Sequence, residues 1–465
     1  MRGSLVAGGG TWEGLHNDDS HASTRGKAAK HARALAIPHL CCTERPDMSS
    51  YTLTSDEFHE EQVVIRGARY AEGPQESKCG SIQIAGGHIS HILGCSSLSL
   101  AAQSDSIEID LSGFLVMPGL INAHDHLELA LFPRLADPPH RNHLDWGADI
   151  HEKLPDVIEK HRAVQKDLRV WWGGIRNLLC GVTTVSHHSP LWPELRRKDF
   201  PVRVLHEYGW AHSLARGRDL RAERAATPEG HPFIVHACEG VDELAREELW
   251  ELDRSGLLDA STVIVHGLAI DAAGVELMRE RGVSLIVCPS SNNFLFGELP
   301  DMALLGGLEN VGLGNDSPLT AEGDLLDEIR FAMRSCGVEP YTAYRMVTEA
   351  PAAILQLEDG EGTIKMAGVA DLIAIRDTGR DATDRLRTLS MTDVEFVMIE
   401  GRVQLASEMI LERLPPRARQ GLEPLYIGGI IRWLRAPVKE LLRKTEKALG
   451  ASEVHLGSRY VRTPA

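Results

Sequence analysis

The chain has 465 residues, 43% of them hydrophobic and 25% charged, with a formal net charge of −17. That composition is ordinary for a globular protein, the acidic balance argues against a nucleic-acid binder, and no apolar run approaches the ~20 residues of a membrane helix. The eight cysteines form no CxxC pair or disulfide-like framework and no secretory segment is recognisable, so reduced thiols and a cytoplasmic protein are expected.

Residues 1–55 are rich in Gly, Ser, Asp and His without a sustained period, and are expected to form a disordered extension; Met48 opens a more protein-like stretch. From 62 to 112, EQVVIRGARY, GSIQIAGGHISHILG and SIEIDLSG read as short strands separated by turns. Similar strands return in GTIKMAGVADLIAIRD and VEFVMIEGRVQLA. The expectation is one small β-sandwich built from both ends of the chain, residues 56–114 and 358–412.

Between them, residues 115–357 alternate short apolar runs with helical patterns, the signature of repeated βα units on a parallel sheet. Strands are expected at Gly119–Ala123, Val182–Ser186, Val202–His206, Pro232–Val235, Thr262–Val265, Ser284–Val287 and Val311–Gly314. Helices are expected at Val164–Cys180, Val241–Leu257, Ala272–Arg281 and Asp324–Arg334. A (β/α)8 TIM-type barrel needs eight strands, so either the missing one is compressed near Tyr208–Ser213 or the barrel is irregular. Residues 413–465 carry the basic, amphipathic IIRWLRAPVKELLRKTEKALG, expected as a helical extension packed on the outside of the barrel rather than as a membrane-surface helix.

The sharpest local signal is VMPGLINAHDHLE, residues 116–128. If its apolar run is a strand, residues two apart point to one side, so His124 and His126 converge at the strand's end as a metal ion requires. Three more strand ends carry chemistry: FIVHACE brings His236 and Glu239, VIVHG brings His266, and VGLGNDSP brings Asp316. Strand ends of a parallel α/β fold face one mouth. His124, His126, His236 and Asp316 then give three imidazoles and a carboxylate, a set suited to one divalent ion, Zn²⁺ ahead of Fe²⁺. Asp316 can take a proton from activated water, His266 can orient or polarise that water, and Glu239 can carry a proton to a ring nitrogen and then to the leaving group. Singly, each has a plainer alternative: a satisfied core histidine, a turn former, a solvated charge at a helix start. Their order at successive strand ends favours the joint reading.

With PGLINAHDH, GVTTV, IVHACE, VIVHGLAID, GVSLIVCPSSNNFLFG, VGLGNDSPLT and GEGTIKMAGVADLIAI in sequence, residues 116–377 resemble the amidohydrolase superfamily, in the branch of triazine hydrolases and of guanine, cytosine and S-adenosylhomocysteine deaminases. The resemblance implies a metal-dependent hydrolase, usually with one metal, holding it through His124, His126, His236 and Asp316, with Glu239 and His266 catalytic. Lys153, Lys160, Lys166 and Lys198 are the lysines between the HDH and His236, and none sits at a strand's C-terminal end, which favours the single-metal type over one bridged by a modified lysine. Trp146, Arg134 and, less strongly, Glu128 are expected to contact the substrate from the loop after the HDH. Of the unexpected pair His187–His188, His188 is the candidate for the pocket wall, against a surface or supporting position.

The function expected is an aminohydrolase that removes ammonia from a nitrogenous heterocycle. Opening of a cyclic amide or imidazolone by the same residues, or an inactive relative that only binds, are the alternatives. The partner expected is a small-molecule substrate, with homo-oligomer formation left open.

Overall fold

The computed structural model describes residues 62–94, 106–214 and 219–464. The expected N-terminal extension lies outside them. Around the middle of the chain run eight short strands in sequence order: β1 (Leu120–Asp125), β2 (Val182–His187), β3 (Arg203–Val204), β4 (Gly209–Ala211), β5 (Phe233–Ala237), β6 (Thr262–His266), β7 (Ser284–Val287) and β8 (Val311–Leu313). β1 to β3 pair in parallel as one sheet, and β4 to β8 as a second. A parallel bridge between Asp125 and Asp316 brings the last strand back beside the first. β4 is three residues long and lies inside the 208–213 window where a compressed strand was expected.

Nearly every residue of these strands is buried, which is why they read as continuous apolar runs rather than alternating patterns. Helices connect them: Lys166–Leu179 after β1, Glu243–Arg254 after β5, Ala272–Arg281 after β6 and Leu325–Ser335 after β8. The first sits unusually close to the strand layer. A Cβ on Gly173 would stand 2.3 Å from the Leu127 carbonyl oxygen, so glycine permits this helix to lie directly on the backbone that follows the HDH.

The two ends of the chain meet in one hydrogen-bonded, twelve-stranded sheet. Leu372–Arg376 pairs antiparallel with Phe114–Pro118, Leu372 opposite Pro118, which sutures the C-terminal segments onto the N-terminal ones. A separate apolar cluster, including Ile65, Ile82, Ile109, Leu372 and Phe396, packs on this sheet.

The segment after 413 departs from the helical expectation. Glu423–Ile427 and Ile430–Leu434 form a hairpin that extends the large sheet, and only Val438–Leu449 is a long helix. Gly428–Gly429 makes the turn, both at positive φ, a conformation glycine adopts without steric cost. The helix packs on the outside of the strand-and-helix layer, where Trp172 Nε1 donates to Thr445 Oγ1 at 2.8 Å. No helix of the described residues is long and apolar enough to cross a membrane.

Candidate metal centre

The C-terminal ends of β1, β5, β6 and β8 bring His124, His126, His236, Glu239, His266 and Asp316 together. All six are buried. His124 and His236 approach with Nε2 atoms 3.2 Å apart, while Asp316 Oδ1 lies 3.8 Å from His124 Nε2 and 3.6 Å from His126 Nε2. The other Asp316 oxygen, Oδ2, accepts from Ser291 Oγ at 2.8 Å and Thr320 Oγ1 at 3.0 Å. Two hydroxyl donors thus pin one carboxylate oxygen and leave the other facing the imidazoles. β8 reaches this place only because residue 314 is glycine: a Cβ there would stand 2.5 Å from His124 Cβ.

The donors fit a divalent cation. Burial, then the neighbouring imidazoles, hold His124 and His236 well below the ordinary histidine pKa, so both are neutral and carry a lone pair. Zn–N bonds of 2.0–2.1 Å in a tetrahedron put ligand nitrogens about 3.3 Å apart, close to the 3.2 Å between His124 and His236. His124 Nδ1 is buried without a hydrogen-bond partner, a costly state, while its Nε2 faces His236 and Asp316.

Glu239 sits beside this group. Its Oε1 is 3.6 Å from His266 Nε2, and its Oε2 is 3.8 Å from His236 Nδ1 and 4.0 Å from His143 Nδ1. His266 Nδ1 pairs with Asn292 Oδ1 at 3.0 Å, which fixes the ring and turns Nε2 to the cavity. Burial lowers the His266 pKa, partly offset by Asp316. Three residues at these strand ends, Cys238, His266 and Asp316, have φ of 57°, 77° and 51°. Left-handed backbone at non-glycine residues is costly and concentrates where side chains must be aimed.

A small cavity opens over the group, walled by His126, Leu129, His143, Trp146, His212, His236, Glu239, His266, Asp316 and Ser317. Trp146 lines it, with its Nε1 donating to Leu135 O at 2.7 Å. Arg134 does not: it donates to Ala321 O at 2.7 Å and lies over the Phe294 ring, away from the cavity wall. Glu128 is fully buried near His187 and also stands off the wall.

His187 and His188 are both buried, so neither is a surface residue. His188 packs behind the cavity, its ring 4.3 Å from that of His236 and inclined by only 15°. Its ligand-capable nitrogen lies within 4.8 Å of those of His124 and His236. Because the two rings are nearly parallel, their in-plane lone pairs run side by side and do not converge on one ion. Three polar wall residues escaped the sequence reading. His143 arrives from a helix start far from any strand end, and Ser317 follows Asp316. His212 is the residue after β4, so the compressed strand expected there carried a signal for it.

Residues 212–404 match the model of the amidohydrolase family. The chain is 26% identical over 367 residues to a 5-methylthioadenosine/S-adenosylhomocysteine deaminase of Archaeoglobus fulgidus, covering 65% of this chain and 82% of that one. A relative of the same name from Haloarcula marismortui is 27% identical, covering 58% and 74%. Among solved structures, an adenosine deaminase from Xanthomonas campestris with bound zinc superposes with a TM-score of 0.61 at 18% identity, over 84% of this chain and 98% of that one. A zinc-complexed atrazine chlorohydrolase from Arthrobacter aurescens gives 0.60 at 17%, over 83% and 100%. By these matches the chain is similar to amidohydrolase-family proteins, with the family model matched over residues 212–404, which hold His236, Glu239, His266 and Asp316.

Proposed function

We propose that the chain is a zinc-dependent aminohydrolase that removes the exocyclic amine of a purine-type ring. His124, His126, His236 and Asp316 would hold the ion, which supplies Lewis acidity and lowers the pKa of water to about 7. Asp316 Oδ1 accepts the proton that water gives up, while Ser291 and Thr320 keep Oδ2 occupied and the carboxylate in place. His266, held by Asn292, presents Nε2 to the attacking oxygen. Glu239 donates its proton to the ring nitrogen beside the carbon under attack, takes up the remaining proton of the added water as the C=O bond forms, and passes it to the amine, which leaves as ammonia; the proton held by Asp316 then restores the Glu239 carboxyl. Trp146 and Leu129 offer the apolar wall on which a flat ring can lie.

The observation that carries this reading is the convergence of Glu239 and His266, 3.6 Å apart, on the same cavity wall as His126, His236 and Asp316. The relatives' names support an adenine-type ring as substrate. We further take the eight strands as a closed (β/α)8 barrel spanning residues 115–357, and the part of the terminal sheet contributed by 56–114 and 358–412, with its own apolar cluster, as a composite sandwich. The test is metal analysis of the purified protein together with an ammonia-release screen of purines, pyrimidines, triazines and imidazolones. Absence of bound zinc or iron after reconstitution overturns the reading; ring opening without ammonia moves it to a cyclic-amide hydrolase.

A further inference from the structure

Beneath the metal centre lies a chain of ion pairs, buried at Asp125, Arg176 and Asp324 and part-exposed at Asp327 and Arg459, that the catalytic reading does not use. The Lys166–Leu179 helix presents Arg176 and Asn177 to Asp125, the residue between the two histidines. Arg176 Nη1 lies 3.2 and 3.3 Å from the two Asp125 oxygens, and Asn177 Nδ2 donates to Oδ2 at 2.7 Å. Asp125 is 0% and Arg176 5% exposed. Arg176 Nη2 also donates to Gly323 O at 2.7 Å, an oxygen shared with Asn315 Nδ2 at 3.0 Å. Asn315 directly precedes Asp316 and pairs with Asn122 Nδ2 at 2.9 Å. The next residue after Gly323, Asp324, is buried and takes Arg459 Nη1 at 2.7 Å, while Arg459 Nη2 reaches Asp327 Oδ2 at 3.0 Å.

We propose that the C-terminal extension is a positioning element of the metal centre, acting from Arg459 through the 315–324 segment and Arg176 on Asp316 and the His124–His126 triplet. The inference rests on the metal-centre reading given above. The charges alternate along the path: Arg459, then Asp324 with Asp327, then Arg176, then Asp125. Buried ions are expensive and apolar replacements would serve stability as well or better, whereas a fully satisfied polar network holds one arrangement. Here that arrangement is the separation of β1 from β8, which is the separation of His124 and His126 from Asp316. Removing Arg459 takes away the cation that bridges Asp324 and Asp327, leaving Asp327 with Arg330 alone and Asp324 without an ion-pair partner, and the segment holding Asp316 loses its outer clamp. Arg459 stands beyond residue 404, where the family match ends, so the clamp is supplied by sequence outside the matched domain.

The test uses the full chain, with zinc affinity measured by chelator competition and the ligand field read from the absorption of the cobalt-substituted protein. Arg459→Gln is expected to lower zinc affinity about 10-fold or more, as loss of supporting contacts to metal ligands does, and to change the cobalt spectrum. Thr445→Val removes the hydrogen bond between Trp172 and the extension and is expected to lower stability while leaving both metal readouts unchanged. Wild-type affinity and spectrum in Arg459→Gln overturn the inference, as does an equal change in Thr445→Val. If Arg459→Gln does not fold, Asp327→Asn, which removes one of the two partners, decides in the same way: weaker zinc binding supports the clamp and wild-type binding overturns it. A wild-type chain that binds no metal would instead overturn the metal-centre reading itself.

Discussion

Glu239 Oε1 and His266 Nε2 lie 3.6 Å apart on one wall of the cavity, and His266 is held there by Asn292 at 3.0 Å. A carboxyl beside a neutral, fixed imidazole can change protonation while its neighbour keeps its place. Glu239→Gln retains shape and hydrogen-bonding capacity but cannot carry a proton. It should keep the wild-type zinc content and lose roughly 10²–10⁴-fold in kcat, the span typical of a general acid–base group. Metal analysis and steady-state ammonia release on one preparation check both halves; wild-type turnover would remove Glu239 from the proton path.

His188 offers a sharper discrimination, because distance alone groups its ring nitrogen with those of His124 and His236. Its near-parallel stack on His236 argues for packing instead. His188→Phe preserves a flat ring against His236 and removes both nitrogens. The variant should retain metal stoichiometry and bind zinc within about 3-fold of wild type, a change below the 10-fold or greater loss that accompanies disturbed supporting contacts. A metal-free His188→Phe would show that the residue is a ligand.

Much of the centre was legible because each candidate ligand follows an apolar run. In LINAHDH, FIVHACE, TVIVHG and VGLGNDS the buried strand and the residue at its end are contiguous, so sequence order alone places the side chain at the mouth. His143 was not legible for the same reason. It reaches the cavity from a helix start, held by packing of a loop against Gly240, where Asn142 and Gly240 form an isolated bridge. Arg134 is a cation in the loop after the HDH, yet its Nε donates to Ala321 O and its guanidinium lies over the Phe294 face, off the cavity wall. In the C-terminal segment an amphipathic pattern outweighed Gly428–Gly429, a local turn signal that splits the stretch into a hairpin before the helix begins.

Glu328, outside the proposed ligand set but within the field of Asp316, provides a pH prediction. Burial pushes its carboxyl from 4.5 up to about 7, opposed by hydrogen bonds from the Ser290 backbone N–H and hydroxyl. A folded-state pKa above the unfolded one means the folded protein binds more protons between the two values. The contribution of Glu328 is therefore fully present below about pH 4.5 and is lost as pH rises through about 7. At ~1.4 kcal/mol per pH unit this amounts to about 3 kcal/mol at most. Glu328→Gln removes the titration, so the stability difference between variant and wild type should shift in favour of the variant from pH 5 to pH 8. Thermal unfolding of both proteins across that range checks it, and parallel profiles would count against a protonated Glu328.

The closest backbone approach in the centre makes the last prediction. A Cβ on residue 314 would meet His124 Cβ at 2.5 Å, its N at 2.9 Å and its O at 3.0 Å. Two of these are backbone atoms of β1, so no rotamer change relieves the contact, and β8 must move away from the HDH. Overpacking of this kind costs typically 1–3 kcal/mol, and the displacement also carries Asp316 away from His124 and His126. Gly314→Ala should therefore unfold at lower denaturant and be isolated with less than stoichiometric metal. Gly73, where a Cβ meets nothing within 4 Å, supplies the comparison: Gly73→Ala should stay within about 0.5 kcal/mol of wild type with full metal content. If Gly314→Ala behaves like Gly73→Ala in both measurements, the contact between β1 and β8 does not set the geometry of the ligands.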